Sequence, residues 1–312
     1  MRKILLIALK LLVSITIIWF LLNKIDLNRT VQLLLNAHKG YSVAALGVLL
    51  LQIVVANFRW KYVLFHLNII ASFIEILRIL WIGIFFNQVL PSSIGGDALR
   101  SYYLYKKGYT VAHSMQSVLI DRMIGLIALV ILVIATLSLA IDLVNEPVAR
   151  WGIFMIAISS TIAIILLLTM DRYTQNLLHW KVIRGLSAVA CKGRKLVFSA
   201  SPGIKIIAIS LLIHILTIIH IIILSVGIGL DLNWLGILII MPIASLIMIV
   251  PVSIAGWGVR EGVMVIGLGY LGVAPESALA LSVLYGILIF IVSLPGLVIW
   301  LMSGHLYMRQ VK

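Results

Sequence analysis

Pro91-Ser-Ser-Ile-Gly-Gly-Asp-Ala-Leu-Arg100 and Pro251-Val-Ser-Ile-Ala-Gly-Trp-Gly-Val-Arg260 are two short breaks in an otherwise apolar chain, and they align without a gap. Pro, Ser, Ile, Gly and Arg coincide at five of ten positions, and the Gly95/Ala255 and Leu99/Val259 pairs are conservative. A Ser-Val-Leu triplet follows each copy, at Ser117 and at Ser282. Each break interrupts a hydrophobic region, Phe73–Leu90 with its continuation to Tyr105, and Trp234–Val250 with its continuation to Leu271. Proline ends a helix and glycine frees the backbone. Each region therefore reads as an entering half-helix, an irregular tip and a returning half-helix.

Around these breaks the chain is built for lipid. Of its 312 residues 63% are hydrophobic and only 11% charged, with a mean hydropathy of +1.20, against roughly 45–50% apolar and about 25% charged in soluble domains. Crossing a hydrocarbon core takes about 20 helical residues. Stretches of that kind lie at Ile4–Leu22, Tyr41–Trp60, Ser114–Ile141, Trp151–Met170, Ile204–Val226 and Ala278–Met302. The first follows Met1-Arg2-Lys3 but is too long for a signal peptide core and lacks a small-x-small cleavage site, so it reads as a retained span. The fold expected is all-α, a polytopic membrane helical bundle of about six spans plus two re-entrant hairpins. It forms one domain over residues 1–312.

The formal net charge of +14 does not imply nucleic acid, because the charges sit between apolar runs rather than on a soluble basic surface. Lys and Arg are retained on the cytoplasmic side. The connection at 171–205 holds seven of them against one acid and is placed there. The Asp142–Arg150, Gly227–Asn233 and Gly272–Ser277 stretches then fall outside with a single basic residue among them. For the count to close, each interrupted region must leave on the side it came in by, the first (73–107) opening to the cytoplasm and the second (234–272) outward. Both termini are then cytoplasmic. The Asn23–Gly40 connection dissents, lying outside with Lys24, Arg29 and Lys39 against Asp26. The pattern is an inverted-topology repeat, repeat 1 at about 41–141 and repeat 2 at about 204–302, an architecture characteristic of transporters. Within the 171–205 connection, Leu177, Leu178, Trp180, Ile183, Leu186 and Val189 recur at helical spacing beside Lys181 and Arg184. This is either a basic amphipathic surface helix that attracts anionic lipid or a linker whose charge only sets topology.

The Pro-x-x-x-Gly-Gly-Asp-x-x-Arg element ending at Arg100, the Asp121-Arg122 pair, and the Pro-x-Ser-Ile-Ala-Gly-x-Gly-x-Arg-Glu-Gly element ending at Gly262 together resemble the lysylphosphatidylglycerol synthase transmembrane domain family, over nearly the whole chain. The resemblance implies a flippase-like protein of the cell membrane. In larger members a soluble aminoacyl-transferase domain makes the lipid that the membrane part is thought to move. Here no cytoplasmic segment exceeds 171–205, so a lysyltransferase is not expected. The reading is a translocase for a phospholipid or a polyprenyl-phosphate-type lipid, with oligomers possible. An anionic-lipid scaffold and an intramembrane head-group transferase stand as rivals.

The chemistry expected of the breaks is anion binding. Asp97 follows Gly95-Gly96 and is placed as the N-cap of a returning half-helix, with Arg100 within one turn. Gly256, Gly258 and Arg260 repeat the arrangement. A helix N-terminus with free N–H groups and an arginine suits a lipid phosphate. These seven residues are the candidate phosphate contacts, unless the charges merely pair with one another. Asp121, Arg122 and Glu261 complete a set of three acids and three arginines that cannot face lipid and that reads as a paired network around a wet cavity. Ser210, His214 and Thr217 place polar groups on one face of a span, there to line that cavity or to hold helices together. Asn57 and Arg59 have the same two readings. Cys191 is the lone cysteine, which leaves no disulfide or cysteine metal site, and no cofactor or metal is expected. Gly267-Leu-Gly-Tyr-Leu-Gly272 matches a dinucleotide fingerprint in letters but has no strand before it, so helix packing accounts for it.

Overall fold

The computed structural model describes residues 25–90, 95–144, 146–174, 180–249 and 256–307, with Leu12, Thr16 and Trp19. Most of the expected first span, the Pro91 and Pro251 terminators, and Leu177 and Leu178 lie outside the described residues. All elements described are helices: α1 (Leu27–Leu35), α2 (Lys39–His66), α3 (Phe73–Val89), α4 (Gly95–Lys106), α5 (Val111–Ala135), α6 (Leu137–Leu143), α7 (Pro147–Tyr173), α8 (Lys181–Val197), α9 (Ala200–Gly227), α10 (Trp234–Ile249), α11 (Val259–Gly269) and α12 (Pro275–Tyr307).

Five of them, α2, α5, α7, α9 and α12, are long and apolar enough to cross a membrane. The chain is a polytopic helical membrane protein. Its outward side chains agree: Trp151, Met155, Ile158, Ile162 and Ile165 stand exposed along α7, an apolar surface far larger than soluble monomers leave open. By contrast α3 and α4, at 17 and 12 residues, reach only about 25 and 18 Å at 1.5 Å per residue.

The helix starts follow local chemistry. Asp26 caps α1 by accepting from Asn28 N and Arg29 N. Ser72 and Glu75 form a capping box on α3, and Thr110 Oγ1 accepts from His113 N on α5. The α1 helix corrects the reading of Asn23–Gly40 as a plain connection. It packs on α12 with Thr30 buried, so the segment is held against the bundle. The expected Ser114–Ile141 span is divided at Thr136 into α5 and α6.

Each interrupted region is a helical hairpin. The arms of the first are joined at the base by Glu75 Oε1 and Lys107 Nζ, 2.5 Å apart. Tyr109 Oη also donates to the Ile70 carbonyl at 2.6 Å and accepts from Ile70 N at 3.1 Å. In the second, Leu271 packs on Gly236 and Ile240 on Gly267, so the Gly267–Gly272 run serves helix packing. The glutamate at the first base is lowered to about 2, chiefly by the hydrogen bond from Lys107.

α2 and α9 form the most extensive helix pair. His38 N donates to Gly227 O at 2.8 Å, His220 Nδ1 to Ala45 O at 3.0 Å, Gln52 Nε2 to Thr217 Oγ1 at 2.9 Å and Arg59 Nη1 to Ser210 Oγ at 3.4 Å. As positions rise along α2 their partners fall along α9, so the two helices are antiparallel. The first hairpin follows the C-terminal end of α2 and the second follows that of α9, which puts their bases at opposite ends of the bundle. The halves interlock: α3 packs on α12, where Trp81 Nε1 donates to Val292 O at 2.8 Å, and α10 packs on α5.

Candidate functional site

The polar centre is assembled on α5, the most enclosed of the five long helices, with 56% of its apolar window buried against 11% for α7. Asp121, 2% exposed, accepts from two arginines on different helices. Arg59 Nε of α2 lies 2.8 Å from Oδ1, and Arg100 Nη2 of α4 lies 2.9 Å from Oδ2. Arg100 Nη1 is also 3.3 Å from Asp97 Oδ1, and Asp97 receives Arg122 through Nε at 2.8 Å and Nη2 at 3.0 Å. Three arginines and two aspartates therefore share one network, with a formal charge of +1.

The sequence allows these approaches by keeping the neighbours small. A Cβ on Gly96 would strike the Gly83 carbonyl and Asn87, and one on Gly83 would strike the aliphatic stem of Arg100. Arg100 is thus pressed between α3 and α2, its guanidinium 4.0 Å above the Trp60 ring, a favourable cation–π placement. Gly96 N donates to Asn87 Oδ1 at 2.9 Å, so that helix-start donor already has a partner.

The second copy neutralises its arginine differently. Arg260 Nη2 and Nε lie 2.7 and 3.0 Å from Glu261 Oε1, and the guanidinium stacks on Trp257 at 4.5 Å and Tyr285 at 5.7 Å. In the register of the aligned breaks Trp257 takes the place of Asp97. In that of the Ser117 and Ser282 triplets Gly286 takes the place of Asp121, and the Arg260 guanidinium fills the space a Cβ there would need. Glu261 Oε2 accepts Gly258 N at 2.6 Å. Gly256 and Gly258 have φ of 82° and 84°, a region that favours glycine.

Several expectations change in detail. Asp97 is not the N-cap of α4, because the helix already begins at Gly95. Its carboxylate is free of capping and turns to arginines instead. Arg100 and Arg260 are 3% and 4% exposed and paired with carboxylates, with Arg100 Nε left buried without a hydrogen-bond partner, whereas Arg122 has half of its side chain exposed, 51%. Gly95 packs against Leu90. Ser210 meets Arg59, Thr217 meets Gln52, and His214 Nε2 donates to the Gly125 carbonyl at 3.0 Å. These three join α9 to α2 and α5, and they line neither of the two cavities described below. Cys191 is partly buried on α8.

Arg59 and Trp60 are the members that the sequence reading does not place in the network. One signal for Arg59 was available: adding it to three arginines and three acids leaves four cations against three anions, so one arginine had to share a carboxylate.

Two cavities accompany the network. One of about 330 Å³ runs between α4 and α5, with Asp97 at one end and Tyr102, Tyr105, Met115 and Leu119 along its wall. The other, about 550 Å³, lies beside the end of α11, near Glu146 and Tyr270. Among the described residues no group of three His, Cys, Asp or Glu is arranged to hold a metal ion.

The family model described as the lysylphosphatidylglycerol synthase TM region matches residues 7–296. The chain is 26% identical over 171 residues to a UPF0104 membrane protein of Pyrococcus horikoshii, covering 54% of this chain and 49% of that one. It is 32% identical over 97 residues to a UPF0104 membrane protein of Methanocaldococcus jannaschii, covering 31% and 29%. A third, from Methanothermobacter thermautotrophicus, is 25% identical over 273 residues, covering 78% and 80%. The alignments thus span about half the length of the first relative and under a third of the second.

Proposed function

The chain belongs to the lysylphosphatidylglycerol synthase transmembrane family, and from that premise we propose that it is a translocase for an anionic, phosphate-containing lipid of the cell membrane. A phospholipid and a polyprenyl-phosphate-type lipid both fit. The observation that carries this reading is the pair of hairpins with bases at opposite ends of the bundle, together with a net-positive network that joins the returning arm of the first to α2 and α5. Alternating access needs two gates of that kind around one site, and a network charge of +1 suits a single phosphate anion. A family name that mentions a synthase does not by itself assign a transfer reaction, and the reading here is a carrier rather than an enzyme. The proposed orientation puts α8 and both termini in the cytoplasm, since Arg184, Lys192, Arg194 and Lys195 of α8 belong on that side. There α8 would also attract anionic lipid.

Reconstitution into vesicles containing a labelled phospholipid, followed by chromatography of the recovered lipid, tests this. The expected result is unchanged lipid in the opposite leaflet. A new head group would instead mark a transferase, and bound lipid that never crosses would mark a scaffold.

A further inference from the structure

Of the three arginines in the first network, only Arg122 is open. Its side chain is 51% exposed, against 11% for Arg59 and 4% for Arg100. It stands eleven residues into α5, a helix long and apolar enough to cross a membrane, and an arginine facing acyl chains there is unfavourable. Its counter-ion is shared, since Asp97 Oδ1 lies 3.0 Å from Arg122 Nη2 and 3.3 Å from Arg100 Nη1. If Asp97 lets go of Arg122, it keeps Arg100. The α4–α5 groove opens at the same place, with Asp97 at its end and a wall that is almost wholly apolar. Tyr102, Tyr105, Met115 and Leu119 along it are 48%, 49%, 50% and 39% exposed. An amphiphile with one negative charge complements the two features together, its chain in the groove and its anion on the spare positive charge.

We propose that a phosphate-bearing lipid docks here, one acyl chain in the α4–α5 groove and its phosphate bidentate on Arg122, and that Asp97 is the resident counter-ion which the phosphate displaces. Carboxylate and phosphate compete for the same planar fork. The exchange keeps each charge paired, because Asp97 retreats to Arg100 while Arg100 retains Asp121. The inference rests on the lipid-carrier reading but names a site that can fail independently of it.

Binding to the purified full chain in detergent tests the site, with native mass spectrometry as readout and dioleoylphosphatidylglycerol, dioleoylglycerol and inorganic phosphate as probes. Phosphatidylglycerol should bind at least about tenfold more tightly than dioleoylglycerol, given the strength of charge-assisted pairs. Inorganic phosphate should not compete at equal concentration, because it lacks the chain. Arg122→Gln should weaken phosphatidylglycerol by about tenfold or more, and Arg122→Lys by less, because lysine keeps the charge but loses the fork. Met115→Trp, at an exposed position, should fill the groove and weaken binding while the protein stays monodisperse. Asp97→Asn decides the exchange: removal of the competitor should tighten phosphatidylglycerol by roughly threefold or more, whereas a purely structural Asp97–Arg122 pair requires both variants to lose binding together. Wild-type affinity in Arg122→Gln overturns the site, as does dioleoylglycerol binding as well as phosphatidylglycerol. Translocation that persists in such a variant leaves the carrier reading intact. Tight Arg122-dependent binding without translocation supports the site and overturns the carrier reading.

Discussion

Replacing Asp121 by asparagine removes the carboxylate that two buried guanidiniums share. In the native chain its oxygens lie 2.8 Å from Arg59 and 2.9 Å from Arg100, with all three side chains 11% exposed or less. Asparagine preserves the shape and can accept one hydrogen bond, but it leaves two buried cations with only Asp97 nearby. Breaking a buried pair by removing one partner costs about 3–5 kcal/mol. At 1.4 kcal/mol per factor of ten, that raises the unfolded fraction by roughly a hundredfold to a few thousandfold. Arg122→Gln leaves Asp97 paired with Arg100 and strands no buried charge, so it should cost clearly less than Asp121→Asn. Unfolding in mixed micelles with rising dodecyl sulfate, followed by tryptophan fluorescence, measures both. The double variant Arg59→Gln/Asp121→Asn should recover at least about 1 kcal/mol relative to the sum of the single variants, because contacting residues couple. Asp121→Asn within about 0.5 kcal/mol of wild type, the range of an uninvolved surface change, would refute the assignment of Asp121 as the hub.

Gly96→Ala should open the first hairpin, because its Cβ would meet the Gly83 carbonyl and Asn87; a loss of about 1–3 kcal/mol is expected for such overpacking, read in the same unfolding assay. Ser187 is buried, so single cysteines at exposed Gly185 and at Gly108 in a Cys191→Ser background should react with an impermeant reagent only after cells are opened, and one at Val148 should react in intact cells. The Glu75–Lys107 tie adds a pH dependence. With the Glu75 carboxyl lowered from 4.5 to about 2, its contribution is fully present above about pH 4.5 and is lost as pH falls toward 2. Acid should therefore destabilise the wild type more than Glu75→Gln, as thermal unfolding across that range would report.

Hydropathy alone located the long helices, because a run of apolar residues has one stable place in a membrane. The packing of two short helices in each interrupted region was foreshadowed by the glycines that break the apolar runs. α1 was not: Leu27–Leu35 carries polar residues on one face, so its signal is amphipathic periodicity rather than a hydrophobic run. Pairing within the polar centre was hidden for a different reason. Arg59 and Asp121 are 62 positions apart, and their contact follows from how α2 packs on α5, which no local pattern encodes. The exchange of Asp121 for Gly286 between the repeats was equally silent. Five coinciding letters suggested two like arginines, yet one is neutralised from a neighbouring helix and the other by the residue next to it.

The central claim is movement of lipid, and vesicles loaded with a head-group-labelled fluorescent phosphatidylglycerol test it most directly. Dithionite added outside bleaches only the outer leaflet, so about half the signal should survive in protein-free vesicles. Vesicles holding the wild-type chain should lose the remainder with time, and Arg122→Gln should slow that loss by about tenfold if the phosphate must engage its fork. A protected half that stays constant in wild-type vesicles, with the protein folded and lipid bound, would contradict the account and leave a lipid-binding scaffold in its place.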